Sequence, residues 1–139
     1  MPEINAWAVL VCALLSMVTG GIWYGPLFGK KWMEILKVNP EDLKNRKEMQ
    51  KKAMPLYVIQ FLLTLFQVYV LAHYFTGWKE ASMYENALWI WAAFVMPTVA
   101  GASMWTNDSR KMVWSRFLIQ SGYQLVNFML FALVFGIWK

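Results

Sequence analysis

Four stretches of this chain, residues 4–29, 53–78, 86–107 and 117–138, contain no Asp, Glu, Lys or Arg. The shortest would measure roughly 33 Å as a helix, enough to cross a hydrocarbon core of about 30 Å. A chain of 139 residues has too little additional protein to cover four such segments in water. Its composition agrees: 59% of residues are hydrophobic and only 15% charged, against about 45–50% and about 25% in soluble domains. The expected fold class is therefore all-α: a polytopic membrane protein forming a four-transmembrane-helix bundle in one integral membrane domain, residues 1–139. The spans are placed at about residues 5–28, 55–77, 86–106 and 116–138. Residues 1–5 hold Glu3 and no basic residue, and the apolar run after them exceeds the 7–15 residues of a signal-peptide core. The first span is accordingly expected to be retained.

Charge sets the expected orientation. The first connection carries Lys30, Lys31, Lys37, Lys44, Arg46, Lys47, Lys51 and Lys52, and the third carries Arg110, Lys111 and Arg116. Lys79 and Lys139 stand on the other side. Because basic residues concentrate in cytoplasmic loops, both basic connections are expected in the cytoplasm and both termini outside. This placement also explains the net charge of +5 without nucleic acid, which is not an expected partner. The lipid bilayer is. Aromatic residues gather at both ends of the spans: Trp7, Trp78, Tyr84, Trp89 and Trp138 on one side, and Trp23, Tyr24, Trp32, Tyr57, Trp105 and Trp114 on the other. Interfacial anchoring is their ordinary role.

Within the first connection, Asn39-Pro40-Glu41-Asp42 reads as an N-cap, a proline at the first helical position and two acids near the positive end of the helix dipole. A charged cytoplasmic helix over about residues 40–54 is expected, leading into the second span at Pro55. Its basic end could meet anionic lipid or an acidic partner, or serve simply as a solvated spacer. A weak repeat relates the second and fourth spans by sixty positions, pairing Gln60 with Gln120, Gln67 with Asn127, Phe75 with Phe135 and Lys79 with Lys139. The first and third spans align by a shift that pairs Trp23 with Trp105. Two tandem helical hairpins would carry such a repeat.

The polar residues inside the spans are the candidate binding residues. Gln60, Thr64 and Gln67 share one helical face, and Gln120, Gln124 and Asn127 repeat the spacing. Unpaired amides are costly in lipid, so both stripes are expected to face the protein interior or an oligomer interface, either as interhelical hydrogen bonds or as a polar groove for a small molecule or lipid headgroup. Small residues mark expected close approaches: Cys12, Ser16 and Gly20; Ala93, Pro97 and Gly101; and the GxxxG pair Gly21 and Gly25. Both of the longer stripes are not needed to close one chain, so one is expected to meet another. Pro97 should kink the third span and free carbonyls that Thr98 or a neighboring amide could satisfy. One cysteine, Cys12, and one histidine, His73, exclude an intrachain disulfide, a CxxC pair and a bis-histidine haem, and no metal site is expected. Without a deep carboxylate, proton-coupled pumping loses its usual machinery. Asn107-Asp108-Ser109 fits a glycosylation sequon, but on the cytoplasmic side it reads instead as a helix cap.

One motif carries a resemblance. Residues 20–33, Gly-Gly-Ile-Trp23-Tyr24-Gly25-Pro26-Leu-Phe-Gly-Lys-Lys-Trp-Met, resemble the signature closing the first helix of the DUF1761 family. That resemblance implies a small, mainly bacterial, four-helix protein of the cytoplasmic membrane, and supplies no reaction or catalytic residue. Trp23, Tyr24, Gly25 and Pro26 join the binding candidates on this ground. The residues favour a non-enzymatic binding or structural module, acting as a homo-oligomer or as an accessory subunit of a membrane complex. The alternatives are an oligomeric transporter or channel, and a membrane enzyme or a redox component binding quinone or lipid. Nothing in the sequence names a cofactor.

Overall fold

Every backbone amide inside a bilayer must find its partner within the protein, which for an apolar segment means a helix. The computed structural model describes residues 3–37, 39, 41–78 and 80–138, with the backbone alone for Leu43 and Asn45. Its elements are α1 (Ala6–Ile22), α2 (Gly29–Ile35), α3 (Leu43–Gly77), α4 (Met83–Ile90), α5 (Met96–Met104) and α6 (Arg110–Ile137). A π-helical turn, Trp23–Leu27, extends α1, and another, Trp91–Val95, joins α4 to α5. No strand occurs among the described residues. Four helices, Ala6–Leu27, Arg46–Gly77, Met83–Met104 and Arg110–Ile137, are long and apolar enough to span a membrane. The chain is thus an all-α, multi-pass membrane protein by fold.

Local chemistry starts these helices. The Asn5 side chain accepts from the N–H groups of Trp7 and Ala8 at 3.1 and 3.2 Å. Ser82 accepts from Glu85 N–H at 3.1 Å, and Ser109 from Met112 N–H at 3.4 Å, each filling an orphan donor of the first turn. Ser109 thus caps α6 within the Asn107-Asp108-Ser109 segment, where Arg116 also pairs with Asp108 at 2.8 Å.

Pro26 and Pro55 act differently from expectation. Gly25-Pro26 does not end the first helix. The chain widens into the π turn and stops at Phe28, whose N–H donates to Trp23 O at 2.9 Å. A proline without an N–H breaks the i→i−4 ladder, and a switch to i→i−5 bonding lets the helix pass it. The second π turn stands just before Pro97, where Thr98 Oγ1 donates to Phe94 O at 2.6 Å. Pro55 does not separate two helices either: α3 runs through it unbroken. Pro55 and Lys51 are both exposed at the basic end, where water can take the freed Lys51 carbonyl. The charged helix expected over 40–54 is therefore the first part of α3, while Pro40 lies outside the described residues. No sequence pattern foreshadows the short helix α2. It closes with Lys37 at φ 59°, a left-handed cap formed without glycine.

Helix α6 holds the center, packing against α1, α2, α4 and α5 and more thinly against α3, while α1 also packs along α3. The core joins Ala8, Val9 and Cys12 of α1, Val68, Leu71, Ala72 and Phe75 of α3, Ala87 of α4, and Phe128, Phe131, Ala132 and Phe135 of α6. These residues lie in the half of the spans away from the basic connections. There the sixty-residue offset has a physical counterpart: 68 and 128, 71 and 131, 72 and 132, and 75 and 135 are all buried, and the rings of Phe75 and Phe135 lie 5.8 Å apart. The offset relating the other two spans is not kept at Trp23 and Trp105. Trp23 is docked inside, while Trp105 is 89% exposed. Lys79 and Lys139 lie outside the described residues.

Candidate functional site

Three aromatic side chains fasten α1 and the α4–α5 span to α6. Trp23 opens the first π turn, and its indole N–H donates to Ile119 O at 2.8 Å. Trp91 opens the second, and its indole N–H donates to Ser121 O at 2.9 Å. The two acceptors are two residues apart and so lie on nearly opposite sides of α6. In the reverse direction, Tyr123 Oη donates to Ser16 O on α1 at 2.7 Å. Two glycines make room for these bonds. A Cβ on Gly122 would lie 3.2 Å from Trp23 Cζ2, and one on Gly20 would lie 2.9 Å from Tyr123 Oη.

Tyr24 extends the cluster, standing edge-on to Tyr123 at 5.3 Å and to Trp32 at 4.9 Å, while Trp23 meets Phe28 at 4.8 Å. A Cβ on buried Gly29 would come within 3.0 Å of Tyr24 O. Of the four motif candidates, Trp23 and Tyr24 therefore pack against other rings and helices rather than serving only as interfacial anchors. Gly25 and Pro26 are exposed. The GxxxG pair is not a seam within the chain, because nothing lies within 4 Å of a Cβ on Gly21 or Gly25. Trp91 and Tyr123 were missed in the sequence. Composition marks aromatic residues as anchors without saying which indole turns inward; only the adjacency of Gly122 to Tyr123 hinted at a close approach.

The six polar candidates divide by depth. Thr64 and Asn127 are buried, Gln67, Gln120 and Gln124 are half-buried, and Gln60 is exposed. Of the two protein surfaces expected for these stripes, the chain's own interior therefore does not take Gln60. Its amide donates to Thr64 Oγ1 at 3.3 Å, and that hydroxyl donates to Gln60 O at 2.8 Å, so both bonds stay within α3. Gln60 also sits near the basic end of its span, where headgroups and water are close at hand. Interhelical amide bonds, the ordinary expectation for such stripes, are not formed by these side chains; the bonds between helices run from indole and phenol to backbone carbonyls. Asn127 is 2% exposed, and its Oδ1 has no hydrogen-bond partner.

The stripes are continuous with the core. On α6, Gln120, Gln124 and Asn127 share a face with Phe131 and Phe135; on α3, Gln60 and Thr64 share one with Val68, Leu71 and Phe75. The Phe75–Phe135 contact shows these faces meeting away from the basic side. Toward the basic side they part: from 54 to 63 every residue of α3 is exposed except half-buried Phe61.

Other polar groups have local explanations or none. His73 stands edge-on to Tyr69 at 4.8 Å, and Cys12 is packed in the core. No three of His, Cys, Asp and Glu gather as metal ligands among the described residues. Ser103 Oγ is buried without a partner, and nothing in the structure explains it. An apolar recess of about 400 Å³ lies between Val11, Val134, Ile137 and Trp138.

No curated protein and no solved structure matches the chain. The family described as "Protein of unknown function (DUF1761)" matches over residues 7–136. With the docked Trp23-Tyr24 motif and four helices of membrane-spanning length inside that match, the chain belongs to the DUF1761 family.

Proposed function

We propose that the chain is a membrane-embedded binding and structural module that works as an assembly of identical copies. The carrying observation is the unequal use of its two small-residue stripes. Cys12 and Ser16 are buried within the chain, and Gly20 lies beneath Tyr123. Ala93 and Pro97 are exposed, and nothing lies within 4 Å of a Cβ on Gly101. Small residues allow the close backbone approach that drives helix association in lipid, and on the α4–α5 face this capacity is not used by the chain itself. A homo-oligomer needs only a second copy of the same face.

Cross-linking and mass measurement in mild detergent test this reading. A dimer or higher oligomer is expected, and Gly101→Leu should weaken association about tenfold, a loss of about 1.4 kcal/mol. A uniformly monomeric species would overturn the reading, and a different co-purifying protein would replace self-assembly with an accessory role.

We also propose that this assembly lies in the cell membrane with both termini outside and the basic connections in the cytoplasm, as the distribution of Lys and Arg supports. In a background lacking Cys12, an impermeant thiol reagent applied to intact cells should label a cysteine at Glu80 and spare one at Lys44. Labelling at Lys44 alone would reverse the orientation.

A further inference from the structure

We infer that the parting between α3 and α6 is a binding site for an uncharged, hydroxyl-bearing amphiphile, with Asn127 Oδ1 as its innermost acceptor. Three observations converge. The facing stripes of α3 and α6 close against each other at Phe75 and Phe135, yet α3 is exposed from 54 to 63 apart from half-buried Phe61, so a wedge opens toward the basic side. The α6 face that meets α3 at Phe135 carries half-buried Gln120 and Gln124, and one turn before Phe131 on that face stands Asn127, 2% exposed with Oδ1 unpaired. Counting sixty residues from the Phe75–Phe135 contact places Thr64 at the depth of Gln124, and its hydroxyl is already committed to its own helix.

This chemistry restricts the occupant. A buried carbonyl oxygen without a partner calls for a donor, and the adjacent glutamine amides both give and accept. From Arg116 to Asn127 along α6 is about 16 Å at 1.5 Å per residue, which sets Asn127 near mid-membrane. None of residues 53–78 or 117–138 carries a charge, so an ionic headgroup at that depth would be uncompensated, whereas a hydroxyl with a hydrocarbon tail would be satisfied at both ends. The same chemistry could come from a two-tailed bilayer lipid or from a single-chain lipophilic alcohol.

Native mass spectrometry of the full chain in detergent, titrated separately with dioleoylglycerol, dodecanol and dioleoylphosphatidylserine, tests the site. Saturable binding of one dioleoylglycerol or dodecanol per chain is expected, and the tighter of the two identifies the source. Phosphatidylserine should bind without saturating. Asn127→Leu should weaken binding about tenfold, the worth of one buried hydrogen bond. Gln124→Leu, at a half-buried position where folding is less at risk, should also weaken it. A benzophenone amino acid in place of exposed Gln60 should cross-link to the bound amphiphile. Equal binding of all three probes, unchanged binding in both leucine variants, or cross-linking of position 60 to a second chain would each overturn the inference.

Discussion

Gly122→Leu is expected to separate α1 from α6 and to cost about 2–3 kcal/mol, the range for forcing side-chain volume into a packed contact. Even a methyl group there would lie 3.2 Å from Trp23 Cζ2, and the indole cannot retreat without losing its bond to Ile119 O. Gly20→Leu should act from the other helix, since its Cβ alone would reach 2.9 Å from Tyr123 Oη and displace that hydroxyl from Ser16 O. Gly21→Leu and Gly25→Leu, with open space around both positions, should change stability by less than about 0.5 kcal/mol. Thermal unfolding in detergent, followed by circular dichroism, would rank the four. The ranking is diagnostic because a sequence pattern alone singles out Gly21 and Gly25 as the sensitive pair. Equal losses at all four positions would refute the assigned contact between α1 and α6.

That contrast marks the boundary of what the sequence reveals. The spans were legible because lipid leaves an uncharged, 22-residue segment such as 86–107 no other backbone solution, and the cap at Ser109 was legible because a serine side chain meets the first amides of the helix that follows. The family motif also stood out. Its structural role did not, because a tryptophan near a helix end looks the same whether its indole meets headgroups, as an anchor does, or a carbonyl on a neighboring helix, as Trp23 does. The π turns were hidden for a related reason. Proline predicts a break, but whether the chain stops, kinks or shifts its ladder depends on what can take the released carbonyls; Pro26, Pro55 and Pro97 have three different surroundings. Of the amide stripes, spacing gave the shared face correctly. It could not give how closely neighboring helices pack at each position, and in the structure Asn127 is buried and Gln60 exposed.

Trp23→Phe and Trp91→Phe test whether the two π turns act together on α6. Each change keeps an aromatic ring and removes one indole donor, so each should cost about 1–2 kcal/mol, the value of an interhelical hydrogen bond in the membrane together with the lost ring volume. Ile119 O and Ser121 O lie within a single turn of α6. A segment held from two sides loses less when the second hold is removed after the first, so the double variant should fall short of the sum by about 0.5 kcal/mol or more. Trp105→Phe, at a residue 89% exposed, should be neutral in the same assay. Amide hydrogen exchange would localize the effect: faster exchange is expected from Phe117 to Tyr123, with Phe128–Phe135 unchanged. Strict additivity, with exchange spread evenly along α6, would mean that the two indoles act as separate contacts and do not form one clasp. The expected coupling follows from chain geometry, because a backbone carbonyl cannot be shifted without moving the carbonyl two residues away in the same helical turn.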